Sequence, residues 1–64
     1  MRTTQENILL LRRHGYSQTR IADELGITQP MVSRWESGEV PSAAEISLKL
    51  DRLAATVEQT EKAA

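Results

Sequence analysis

Gln29, Ser33, Arg34 and Ser37 bring an amide, two hydroxyls and a guanidinium close together in the chain. With Pro30 they fall on one side of a helix if the stretch from Gln29 onward is helical. That side carries no large apolar residue, so it is not made for a core. Its chemistry is hydrogen bonding: the amide both donates and accepts, the hydroxyls do either, and the guanidinium presents a planar fork of donors. Catalysis is not indicated. Cysteine is absent and His14 is the one histidine, so no ligand set for a metal can be assembled from such residues. Asp23 and Glu24 are adjacent and diverge around a helix, and cannot hold a catalytic metal together. No enzymatic activity, cofactor or small-molecule ligand is expected.

The chain of 64 residues sets the same limits. One small domain fits that length, with too little interior to wall off a catalytic pocket. Stability must come from helix packing without disulfides, with a second subunit as a further source. The longest apolar run, Ile8 to Leu11, is far short of a membrane span, and the start of the chain lacks the pattern of a signal peptide. A soluble, cytoplasmic chain is expected. Formal charge is -1, which argues against holding a polyanion by bulk charge. The charge is uneven, however: Arg2, Arg12, Arg13, Arg20 and Arg34 fall early, while Glu39, Glu45, Asp51, Glu58 and Glu61 weight the second half.

Helices must position that polar face. Thr3 with Glu6 fits a capping box after a loose arm at Met1–Thr4, and a first helix should run to about Arg13. Ile8 and Leu11 are its expected core pair, with Leu9 partly exposed or turned to a partner. Arg12 and Arg13 suit the dipole of the last turn, and Gly15 is a natural stop. Ser17 should cap a second helix beginning at Gln18, with Ile21, Ala22 and Leu25 inward and Arg20, Asp23 and Glu24 on a solvated side, a phosphate contact by Arg20 being the alternative. Gly26 ends it and Ile27 fills the corner. Thr28 caps a third helix that tolerates Pro30 in its first turn and turns Val32 and Trp35 inward, with Met31 beside Trp35. Trp35 is thus read as a core anchor, not a stacking group. Ser42 and Glu45 suggest a second capping box opening a helix over about 42–58, striped by Ile46, Leu50, Leu53 and Val57. Leu48 lies off the stripe, placed either against the first helix or at a dimer contact. Residues 59–64 should fray. No strand, linker or repeat is visible, so the fold class is all-α.

A helix-turn-helix needs a small residue where its helices meet, a glycine at the turn and apolar residues that lock the pair. Ala22, Gly26 and the set Ile21, Leu25, Ile27, Val32 and Trp35 supply these over a unit spanning residues 18–37. The runs SerGlnThrArgIleAlaAspGluLeuGlyIleThrGln and ValSerArgTrpGluSerGly resemble the phage Cro and repressor family of helix-turn-helix DNA-binding proteins, the likeness extending more weakly from Ile8 to Leu53. The resemblance implies a compact four- or five-helix bundle of the lambda-repressor-like type, forming one domain over residues 1–58.

It also implies roles. Gln18, first in the second helix, would touch a phosphate and buttress Gln29, first in the recognition helix and the leading base reader. Gln29 can pair with adenine N6 and N7, and Arg34 with guanine O6 and N7 or a phosphate. Ser33 would reach a base edge or admit a thymine methyl. Pro30 departs from the usual polar residue and can only touch a methyl. Thr28 and Ser37, with the amides around them, would hold phosphates. Glu36 would pair with Arg12 or Arg13. A second departure is the loop after the third helix: Glu39 is there, and no Lys or Arg occurs from Ser37 through Leu48. The expected function is a sequence-specific transcriptional regulator of bacterial or phage type, a Cro-like repressor dimeric on a palindromic operator in double-stranded DNA. The competing reading is an antitoxin or adaptor that keeps the scaffold without strong DNA binding.

Overall fold

Thr3 begins the architecture. Its hydroxyl accepts from the Glu6 backbone N–H at 3.1 Å while its own N–H donates to Glu6 Oε1 at 2.8 Å, the reciprocal capping box. This opens α1 (Thr4–Arg13), whose end is closed by the Tyr16 N–H on the Leu11 carbonyl at 3.0 Å. The computed structural model describes the backbone of residues 2–63 and the side chains of residues 2–59. Within them follow α2 (Gln18–Leu25), α3 (Gln29–Glu36) and α4 (Ala44–Ala63), with no strand among the described residues. The radius of gyration, 10.8 Å, is close to the roughly 10.7 Å expected of a compact chain of this length. The bundle therefore has four helices. No described helix is long and apolar enough to cross a membrane.

The core joins Ile8, Leu10 and Leu11 of α1 to Ile21, Ala22, Leu25, Val32, Trp35, Leu50 and Ala54. Leu10 and Ala54 exceed the expected set, for a physical reason. Helix α1 packs against α2, α3 and α4, so its buried arc is wider than a single i,i+3 stripe. Ala54, fully buried, is the small residue that lets α4 approach closely. Of the Ile46, Leu50, Leu53 and Val57 stripe, Leu50 is in the core and the other three pack against it partly buried. Leu48 borders Thr4 and Asn7 along the α1/α4 seam yet stays 51% exposed, and Leu9 faces out at 46%.

Two expectations are corrected here. The Ser42–Glu45 box does not open α4: the Ala43 carbonyl accepts from Ser47, which makes Ala43 the N-cap and sets Ser42 one residue too early. The arm before α1 is not loose at Arg2. Its Nε donates to Asn7 Oδ1 at 2.8 Å, its Nη1 pairs with Glu58, and the Asn7 amide donates to Asp51 Oδ1 at 3.4 Å. Asn7, 3% exposed, is thereby satisfied in the seam. Helix α4 continues to Ala63, past the expected end near residue 58 and into the stretch expected to fray, while Met1, Ala64 and the side chains of residues 60–63 lie outside the described residues.

Candidate nucleic-acid interface

The geometry of the α2–α3 unit begins at its corner. Gly26 sits at φ 71°, ψ 34°, and the Ile27 N–H reaches back to the Ala22 carbonyl at 2.9 Å, closing α2 in a Schellman turn that a β-carbon would disfavour. Ser17 opens α2 by accepting from the Arg20 N–H at 3.0 Å. Ile21, Ala22 and Leu25 then face Val32 and Trp35, all buried, and Met31 and Ile27 close the sides of that contact. With Val32 and Trp35 inward, Gln29, Pro30 and Arg34 are left exposed and Ser33 half-buried.

A chain of polar contacts holds the head of α3. The Gln29 amide donates to Gln18 Oε1, and the Gln18 amide donates in turn to Glu36 Oε1 at 3.1 Å. Arg12 Nε lies 3.7 Å from that same oxygen, so of the two arginines at the end of α1 it is Arg12 that offsets the Glu36 charge. Gln5 adds a bond to the Glu36 carbonyl at 2.8 Å, satisfying one of the last acceptors of α3. Both ends of α3 are thus tied to helices that precede it. Gln29 is aimed by its neighbour before any ligand arrives, which lowers the ordering cost of reading a base edge.

The flanking hydroxyls differ. Thr28 occupies the N-cap of α3 but makes no side-chain capping bond. Pro30 removes the N–H of the second helical position, and the next one, of Met31, bonds the Thr28 carbonyl at 3.2 Å. The Thr28 hydroxyl is therefore exposed and uncommitted to the helix. Ser37 instead donates its hydroxyl to the Ser33 carbonyl at 3.1 Å, and its N–H is spent on the Ser33 and Arg34 carbonyls. It can meet an anion only by rotating that hydroxyl outward. Arg34 is exposed, with no ion pair among the described residues. Glu39 stands in the next loop, also exposed. No cluster of metal-binding side chains occurs among the described residues.

The residues singled out by type and spacing are brought to one surface: the exposed side of α3, the amino end of α2, and the caps at Thr28 and Ser37. A family model described as helix-turn-helix, of the Cro/C1 type, matches residues 8–54. The chain belongs to the helix-turn-helix family. No curated protein and no solved structure matches it. As a helix-turn-helix protein of the Cro/C1 type it is a DNA-binding regulator, and DNA is the partner that the α2–α3 unit serves. Two supports escaped the sequence reading. Gln5 lies one residue before half of a capping box, and nothing in its spacing points to a carbonyl 31 residues away. The Arg20 guanidinium stands 4.0 Å above the centre of the Tyr16 ring, and because Tyr16 precedes the Ser17 cap and lies outside α2, helical spacing could not have suggested the pairing.

Proposed function

We propose that this helix-turn-helix protein is a sequence-specific transcriptional regulator that inserts α3 into the major groove of double-stranded DNA and acts as a Cro-like repressor, dimeric on a palindromic operator. The observation that carries the reading is the bond from the Gln29 amide to Gln18 Oε1, which holds the exposed first side chain of α3 while Val32 and Trp35 are buried. Gln29 and Arg34 read base edges; Pro30 and Ser33 shape the contact to a thymine methyl or a neighbouring edge; Gln18, Thr28 and Ser37 hold phosphates and set register. One short helix reads few base pairs, and two half-sites about 34 Å apart multiply affinity and discrimination. Leu50 of the α4 stripe is in the core and Ile46, Leu53 and Val57 are partly buried against it, which favours the side of α4 around the half-exposed Leu48 as the dimer surface. Repression then follows by occlusion of polymerase in the cytoplasm.

Selection of bound duplexes from a random pool tests this: an inverted repeat is expected, and Gln29→Ala or Arg34→Ala should each cost about 1–3 kcal/mol against it. Affinities equal to the parent's would refute the assignment of those residues. The second reading, an antitoxin-like or adaptor module, draws support from Glu39 and the absence of Lys and Arg between Ser37 and Leu48. A phosphate binder weakens steeply as salt rises, whereas an adaptor retains no duplex at low or moderate salt.

A further inference from the structure

We infer that Tyr16 and Arg20 form a clamp for a DNA backbone phosphodiester beside the reading helix, a contact that rests on the DNA-binding reading above. The arginines of the first half differ in how they are held. Arg2 is committed to Glu58 and Arg12 to Glu36. Arg20 makes no ion pair among the described residues, although Asp23 and Glu24 lie one helical turn along and could have taken it. Its guanidinium lies instead over Tyr16, whose ring is half-buried against the core and so forms a fixed platform. Stacking occupies a face of the guanidinium and leaves its edge donors available, the arrangement that suits a bidentate bond to an anionic oxygen pair.

The position selects phosphate over base. Arg20 lies two residues beyond Gln18, the side chain that bonds the head of α3, so it shares the first turn of α2 with the buttress of the reading residue. Two residues turn a side chain about 200° around a helix, so Arg20 leaves α2 on the side away from Gln18 and does not enter the groove with Gln29, which leaves the backbone as the part of a duplex it can meet. That first turn contains no acidic residue, and the exposed Asp23 and Glu24 one turn along make no ion pair with Arg20 among the described residues. Tyr16 is a positioning residue; Arg20 supplies the contact.

The test uses the full chain with the selected duplex and a random duplex, titrated across salt concentrations. Arg20→Gln should weaken both complexes by a similar factor, about threefold to tenfold, and should lower the slope of log affinity against log salt by about 0.9, the loss of one phosphate contact. Arg20→Lys should retain the slope. Tyr16→Leu should weaken binding without changing the slope, because the charge remains, and Tyr16→Phe should restore what Tyr16→Leu loses. Thermal melts of each variant separate binding from folding. An Arg20→Gln protein that melts as the parent does and binds both duplexes with the parent's affinity and slope overturns the clamp while leaving the DNA-binding reading intact. A parent that binds no duplex removes both.

Discussion

Replacing Gln18 by alanine should separate aiming from reading. Gln18 is half-buried and makes two bonds, accepting from the Gln29 amide and donating to Glu36 at 3.1 Å. Removing it lets the exposed Gln29 side chain sample its other rotamers in the free protein. Re-ordering such a side chain on binding costs about 0.5–1.5 kcal/mol, and the lost hydrogen bond in the complex adds about as much. Specific affinity should fall by about 1–3 kcal/mol, roughly fivefold to 150-fold. The fold should survive, since Arg12 still faces Glu36 at 3.7 Å, and a cost near 1 kcal/mol in stability lowers the melting temperature of a small domain by about 4–8 °C. Fluorescence anisotropy on the selected duplex and on a random one is the assay, run for Gln18→Ala, Gln29→Ala and the double variant. Any phosphate bond made by Gln18 is lost equally on both duplexes, so the difference between duplexes isolates its action through Gln29. On that difference the double variant should lose about what Gln29→Ala loses alone, a coupling of about 1 kcal/mol. Additive losses would refute the buttress.

Further outcomes follow from the fold. Gly26→Ala meets no atom within 4 Å but forces a β-carbon onto φ +71°, so it should destabilise by about 1–2 kcal/mol in a urea melt without altering the buried α2–α3 contact. Glu6 is held below its ordinary value of 4.5, first by the Thr3 N–H and then by the Thr3 hydroxyl. Its folded value being the lower, the stability it contributes is present above 4.5 and is lost as pH falls through the folded value. Melting temperatures of Glu6→Gln should therefore decline less than the parent's over that acidic window, and parallel curves would count against the link. Leu48→Glu should leave the melting temperature of a dilute sample unchanged while shifting sedimentation toward monomer, because the side chain is half-exposed and outside the core.

What could be read from the chain was what neighbours decide. The Thr3–Glu6 box, the Ser17 cap, the turn at Gly26 and the inward pair Val32 and Trp35 depend on residues within one or two helical turns. The same logic failed at α4, where Ser42 and Glu45 had the right types and spacing but the helix starts from Ala43, since a local pattern does not say how the preceding loop arrives. At Thr28 the position was legible and the bond was not, because proline had removed a donor. Resemblance narrowed the partner of Glu36 to Arg12 or Arg13; consecutive residues point about 100° apart, and only packing against α3 could choose Arg12. Asn7 inside the α1/α4 seam, and the Gln5 bond to the end of α3, are wholly products of tertiary approach.

The clasp of Arg2 on Glu58 joins residues that flank the family-matched span of 8–54 on either side. The framework shared with relatives is therefore fastened by a strap lying outside it, and a fragment cut to the matched span would lose both ends of that strap together with the Thr3 cap. Any fusion or tag that displaces Arg2 reaches the interior through Asn7, the one buried polar side chain among the described residues, before it reaches the exposed side of α3.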